Sequence, residues 1–306
     1  MTPTQAVTPL QGIETRAGAR SVVHISGPTL SAADLTTLAA ADVTIVIVGL
    51  TTEEEGEGAI SEGGDRETLG LPPEQDALIA SVAAAAPKTI VVLEGGSAIV
   101  VRPWVDDVDA LLMAWYPGMQ GGNAIADVLF GDAAPGGRLP ISFPRSAADL
   151  PAFDHTSPAV TYGFLHGYRY LDTNATEPEF PFGFGLSYTT FSYGGLEVDV
   201  TPASDGEIHV SLNVTNDGGR EGDEVVQLYV RVDASSYQRA PRDLRGFARV
   251  HLAAGETRPV AITLRKSDLA VYDVDGGSWV VEPATYTFEV AASSRDVRAE
   301  AQVSIE

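Results

Sequence analysis

Residues Thr51 to Leu71 read TTEEEGEGAISEGGDRETLGL, between the apolar run VTIVIVGL and the segment PPEQDALIASVAAAA. Carboxylates at Glu53, Glu54, Glu55, Glu57, Glu62, Asp65 and Glu67 stand among glycines in this one connection. A simple strand-to-helix connector needs about two to six residues, and this one is longer. Crowded carboxylates push one another toward the protonated form, which suits a general acid. Flanking glycines let such a segment reach across a cleft. Two readings stay open on these residues alone: a solvated acidic loop, or a loop that carries a carboxylate into an active site.

Other chemistry-bearing residues give weaker patterns. Asp65 and Arg66 suit loop support, paired with each other or with nearby backbone, better than a substrate clamp. WYPGMQGG is a glycine-rich turn before a helix, but it lacks the Lys and the spacing of a phosphate loop, so close backbone packing is its reading. Trp104 and Trp115 could stack on sugar rings, yet both adjoin strand-like runs, which favours core burial. His24, His155, His166, His209 and His251 are scattered without ligand spacing, so no metal site is expected. The chain has no Cys, which excludes disulfides and thiolate chemistry. There is no G-x-S-x-G nucleophile elbow, and the sequons at Asn174 and Asn213 carry no weight.

The elements that must position the acidic stretch alternate between helix and strand. VTPLQGIETRAG reads as a helix with Thr8 as N-cap, Pro9 at its first position and Gly18 as its stop. SVVHIS reads as a short strand, and Ser31 caps the helical SAADLTTLAAAD. VTIVIVG, 43–49, is apolar on both faces, the pattern of a central parallel strand. Residues 72–86 are helical, KTIVVLEGG and ALLMAWYPG are strands, and GGNAIADVLFG is a helix closed by Gly131. This alternation predicts a parallel sheet covered by helices, with function in the loops at the carboxyl ends of its strands. The acidic stretch begins at one such end. A nucleotide-binding reading of the same alternation lacks its G-x-G-x-x-G signature after a first strand.

From 133 to 193 Pro, Gly and aromatics dominate and no helical period survives. That predicts an ordered strap, because a free linker would lack the aromatics. From Leu196 onward the period is two, in about seven short segments separated by turns such as NDGG, AAGE and VDGG, the pattern of a β-sandwich. The expected fold class is therefore α/β plus all-β. Its parts are a doubly wound α/β sandwich domain over 1–145, a strap over 146–194 and a β-sandwich domain over 195–306.

The 306 residues accommodate two domains, and 44% hydrophobic content supplies their cores. A net charge of −23 argues against nucleic acid and anionic membranes as partners, since both are polyanions. No apolar run reaches the ~18 residues of a membrane span. The first ten residues, MTPTQAVTPL, have neither the basic nor the apolar region of a signal peptide.

Six segments together resemble one family in its own order. They are EGGDRETLGLPPEQDALI, WYPGMQGGNAIADVLFGDAAPGGRLPISFP, FPFGFGLSYTTFSY, EGDEVVQLYVR, RAPRDLRGFARVHLAAGE and WVVEPATYTFEVAASSRDVR. The chain resembles the C-terminal part of glycoside hydrolase family 3 enzymes, in particular bacterial β-glucosidases. The resemblance implies an α/β sandwich domain lacking its usual first strand, then a fibronectin type III-like domain. It also implies an absent barrel, or a complementary chain, that carries an Asp nucleophile. The family's acid/base lies near a pattern like E-G-x-D-R, matched here by Glu62, Gly63, Gly64, Asp65 and Arg66. Glu62 is the implied general acid/base and Glu57 the runner-up; Glu53, Glu54 and Glu55 are read as solvated. Where relatives more often carry an acid, this chain has Gln120. The implied substrate is a β-glucoside or short β-linked oligosaccharide, with no cofactor. Many relatives are exported, so a secreted or periplasmic location is the expectation. The alternative is a non-catalytic module that binds carbohydrate or a partner.

Overall fold

In the computed structural model, residues 5–55, 66–154, 157, 159–202 and 205–305 are described. The stretch 56–65, with Glu57, Glu62 and Asp65, lies outside them. The chain divides into two units, Met1–Ala133 with Phe143–Thr161, and Ala134–Ser142 with Tyr162–Glu306. The strap read from composition is thus shared: residues to 161 belong with the first unit, later ones with the second.

The first unit opens with α1, Pro9–Ala17, which has a complete capping box. Thr8 Oγ1 accepts from Gln11 N–H, and Gln11 Oε1 accepts from Thr8 N–H. Ser31 and Asp34 repeat the device at α2, Ala32–Ala40. Then come strand β1, Thr44–Gly49, the single turn α3, Thr52–Glu55, and α4, Pro73–Ala85. They are followed by β2, Thr89–Glu94, β3, Ala110–Met113, and α5, Gly121–Phe130. α5 ends on Gly131 in the left-handed conformation, as its sequence predicts.

The three strands are parallel, in the order β1-β2-β3. β2 is central: Val91, Val92 and Leu93 are fully buried. This corrects the reading of 43–49 as the central strand. Among the described residues β1 is an edge, and Ile47 is exposed on it. An all-apolar run marks a strand as hydrophobic but does not say how many neighbours pair with it. SVVHIS forms no strand, and Val22 and Val23 are exposed. β-propensity without a paired neighbour leaves the backbone unsatisfied by a ladder.

α1 and α5 pack backbone to backbone. A Cβ on Gly12 would stand 2.0 Å from the Gly122 carbonyl oxygen, and one on Gly122 would stand 2.1 Å from that of Thr8. Gly122 of WYPGMQGG therefore serves close packing, whereas Gly118, with a φ of 72°, has open space around its Cβ position. Trp104 is buried and its Nε1 donates to Asp76 Oδ1 at 2.8 Å. Desolvation raises the Asp76 pKa, and the Trp104 bond partly offsets that rise. A carboxyl whose pKa is raised on folding favours the folded state below its unfolded pKa and loses that contribution as pH rises through the folded value. Trp104→Phe deletes the offsetting donor. It should cost about 1–3 kcal/mol at neutral pH, with a smaller loss below pH ~3, where Asp76 is protonated in both states. Denaturant melts at the two pH values measure the difference.

The second unit begins, among its described elements, with α6, Tyr168–Thr173, a short helix where the sequence shows no helical period. Then follow β4, Phe191–Val200, β5, Glu207–Asn216, β6, Gly222–Val232, β7, Asp243–Leu252, and β8, Thr257–Arg265. β9, Val271–Asp273, and β10, Ser278–Val280, form a hairpin before β11, Ala284–Ser293, and β12, Asp296–Ile305. Two antiparallel sheets result, β12-β11-β6-β7 and β4-β5-β8. The period of two supplies their common core. Ile208, Val210, Leu212 and Val214 of β5 are buried with Val226, Leu228, Val230, Phe288 and Val290.

Strap aromatics lock onto this sandwich. Tyr168 stacks on Phe182 at 4.8 Å between centroids and meets Tyr229 edge-on at 6.0 Å. The Tyr168 hydroxyl accepts from Leu244 N–H, and Arg169 Nε donates to Asp243 Oδ1 at 2.5 Å. Gln227 donates to the Gly183 carbonyl, and a Cβ on Gly183 would stand 1.9 Å from Gln227 Oε1. The segment FPFGFGLSYTTFSY thus needs Gly183 both for its positive φ of 80° and for space.

Candidate functional site

The carboxyl ends of β1, β2 and β3 gather one connected set of polar side chains. β1 runs into Leu50, whose N–H donates to the Glu94 carbonyl at 2.9 Å. Gln75 on α4 fixes the end of β1 with two bonds of 2.9 Å, to the N–H and the carbonyl of Gly49. A Cβ on Gly49 would meet the Glu94 carbonyl at 2.0 Å, so glycine lets the two strand ends close together.

Thr51 and Glu54 cap the short turn α3, with Thr51 N–H donating to Glu54 Oε2 at 2.5 Å. That turn aims Glu55 inward, and the residue is 9% exposed. Its Oε1 accepts from Gly96 N–H at 2.8 Å and from the Tyr116 hydroxyl at 2.8 Å. Its Oε2 lies 3.7 Å from an Arg66 guanidinium nitrogen. The same nitrogen donates to Ser97 Oγ at 2.5 Å and to the Ala98 carbonyl at 3.4 Å. Both side chains of the pair are nearly solvent-excluded, at 7% for Arg66 and 11% for Glu55. Donors therefore surround Glu55, and it serves as an acceptor.

This corrects the reading of Glu55 as a solvated acid. The sequence presents three adjacent glutamates with no local reason to separate them. The short turn sends the third one under the sheet edge, where residues more than 40 positions away supply its donors.

Glycines at 95 and 96 make the cradle possible. A Cβ on Gly96 would stand 3.0 Å from the Tyr116 ring and 3.3 Å from Glu55 Oε1. The Tyr116 hydroxyl also reaches the Leu50 carbonyl at 3.3 Å. Desolvation, then the hydrogen bond and charge of Glu55, push the Tyr116 pKa up to about 12. The phenol therefore remains a donor across the neutral range. The residue is nonetheless 56% exposed. The preceding residue, Trp115, has a φ of 55°, a left-handed conformation uncommon for a bulky side chain. Trp115 is half-buried, edge-on to Phe143 at 6.4 Å, whereas Trp104 lies in the core. Burial alone raises the pKa of Glu94, at the end of β2.

Of the residues singled out by sequence, Arg66 is described, and it lies in this set. Glu62, Glu57 and Asp65 lie outside the described residues, in the segment between Glu55 and Arg66. Glu55, Gly96 and Tyr116 were not singled out as a site; the available signal was the position of each just beyond a strand end. Among the described residues no group of three or more His, Asp or Glu is placed to hold a metal ion. Among them, too, no helix is long and apolar enough to cross a membrane.

Comparison with known proteins sets this chain in a family. Residues 1–188 match the glycosyl hydrolase family 3 C-terminal domain, and residues 224–294 match the fibronectin type III-like domain. A beta-glucosidase of Rhizobium radiobacter is 40% identical over 273 residues, covering 86% of this chain and 33% of that relative. An exo-alpha-(1->6)-L-arabinopyranosidase of Bifidobacterium longum is 38% identical over 275 residues, covering 88% of this chain and 35% of the relative. The crystal structure of a Bifidobacterium adolescentis GH3 beta-glucosidase superposes with a TM-score of 0.87 at 36% identity, over 100% of this chain and 46% of that one. The chain thus spans about a third of the length of the curated relatives it matches. It belongs to glycosyl hydrolase family 3, of which it carries the C-terminal domain followed by a fibronectin type III-like domain.

Proposed function

We propose that this chain is the acid/base-bearing part of a retaining β-glycosidase, a β-glucosidase that removes terminal β-D-glucosyl residues. The observation that carries the reading is the 40% identity to a beta-glucosidase along most of the chain. Retaining hydrolysis needs two carboxyl groups about 5–5.5 Å apart across the scissile bond. One attacks the anomeric carbon; the other protonates the leaving oxygen and then activates water. Glu62 takes the second role in this proposal, with Glu57 as the alternative. An Asp of a barrel domain or complementary chain takes the first. The barrel is then the partner of this chain, and a β-glucoside or short β-linked oligosaccharide is the substrate. A relative of similar identity bears the name arabinopyranosidase, which fits a division of labour in which the barrel selects the sugar.

The test is hydrolysis of a chromogenic β-glucoside by this chain alone and by an enzyme that joins it to the barrel. The proposal expects activity only where both are present. Activity of the chain alone would place both carboxylates within its 306 residues and overturn the division. Sugar binding with no hydrolysis in either preparation would favour the non-catalytic module.

A further inference from the structure

Tyr116 follows β3 at the carboxyl end of the parallel sheet, the end where open α/β sheets bind their ligands. Its backbone is fixed on both sides. Trp115 before it holds a left-handed φ of 55°, and Pro117 after it has a ring-locked φ. Gly121 packs on that proline so closely that a Cβ there would stand 2.5 Å from Pro117 Cγ. The side chain is fixed as well. Its hydroxyl donates to Glu55 Oε1 at 2.8 Å, and its Cε2 lies 3.0 Å from where a Cβ on Gly96 would stand. Tethers of this kind usually belong to a buried residue, yet Tyr116 is 56% exposed. Most of a tyrosine's surface is its ring, so the ring is what the fold holds open to solvent.

A clamped, exposed aromatic ring suits one class of contact. Its face attracts flat surfaces of C–H bonds, and little side-chain freedom is lost on binding because the ring is already held. A β-glucopyranosyl ring has equatorial hydroxyls and two faces of axial C–H bonds, so it lies flat on such a ring. The tryptophans considered for this contact are engaged elsewhere: Trp104 lies in the core, and Trp115 meets Phe143 edge-on.

We propose that Tyr116 is a specificity-determining residue, the platform on which the first sugar of the aglycone stacks. The inference rests on the division of labour proposed above. There the barrel holds the terminal glucosyl residue, which leaves the aglycone for this chain. Tyr116 makes no bond to the reacting atoms. It supplies binding energy to substrates whose leaving group is a pyranose, and none to those whose leaving group is small.

In the enzyme that joins this chain to its barrel, kcat/KM is measured for cellobiose and for methyl β-glucoside. Tyr116→Ala should lower the value for cellobiose about tenfold, the size of one lost stacking contact, and leave the methyl glucoside within about twofold. Tyr116→Phe keeps the ring and should retain most of the parent's kcat/KM on cellobiose. Equal losses of Tyr116→Ala on both substrates, a larger loss on the methyl glucoside, or no loss on either would overturn the platform. So would a Tyr116→Phe variant as impaired on cellobiose as Tyr116→Ala, because the hydroxyl bonds would then carry the effect. Should Tyr116→Ala fail to fold, Tyr116→Leu keeps apolar bulk, removes the flat face and is judged by the same outcomes. A parent enzyme inactive on both glucosides sinks the β-glucosidase reading and this inference with it. A parent active on both, with an unselective Tyr116 variant, sinks the platform alone.

Discussion

Replacing Glu62 by Ala in the barrel-containing enzyme should lower kcat on an unactivated β-glucoside by about 10²–10⁴-fold, the usual contribution of a positioned general acid/base. Two signatures accompany the loss. The limb of the pH–rate profile that reports the acid disappears, because no group remains to be deprotonated as pH rises. Added azide restores turnover of an activated glucoside. The glycosyl-enzyme still forms when the leaving group needs no proton, and a small anionic nucleophile then attacks it without a general base. The product of the rescue is β-glucosyl azide, identifiable by its mass and its anomeric configuration. Glu57→Ala is the matched control and should change kcat little. If the two variants exchange phenotypes, Glu57 is the acid/base; if neither affects the rate, neither residue is.

The largest stability effect should come from Glu224, on β6 of the sandwich. Its Oε1 accepts from Arg138 Nη2 at 2.9 Å and from Val225 N–H at 2.7 Å, and the two charged side chains are only 8% and 6% exposed. Arg138 lies in the segment 134–142 that clusters with the second unit, and its Nη1 donates to the Gly137 carbonyl. Glu224→Ala leaves the guanidinium charge buried without its partner, which costs about 3–5 kcal/mol. The double variant Arg138→Met/Glu224→Met removes both charges and should recover most of that loss, since an apolar pair carries no desolvation penalty. Denaturant unfolding of the single and double variants tests this. A single variant within about 0.5 kcal/mol of the parent, the range of ordinary surface changes, would mean that water reaches the site.

Local patterns made much of the architecture legible. Thr8 and Ser31 cap the helices that their spacing announced, and Gly131 closes the helix it was expected to close. The alternation from β5 onward places Ile208, Val210, Leu212 and Val214 in one core. These features are short-range, because a cap involves residues three apart and a strand face repeats every second residue. SVVHIS shows the boundary of that reasoning. Its residues favour a strand, but a strand exists only by pairing, and no described neighbour pairs with it. The rank of the strands is non-local in the same way. Composition marked residues 43–49 as buried on both faces, yet β2 holds the centre.

The sequence by itself determined the two kinds of domain and the family. Each of these is written in residue types at near-fixed spacing. Only the tertiary structure decided which of three consecutive glutamates is special. Glu53, Glu54 and Glu55 are chemically alike, and the turn α3 sends one of them to donors at Gly96 and Tyr116. The structure likewise decided that Arg66 joins this set across the sheet edge, with Ser97 and Ala98 as further partners. The physical reason is that burying a charge is unfavourable unless several distant groups converge on it. Convergence of that kind belongs to the folded chain, because it depends on which strand ends the fold brings side by side.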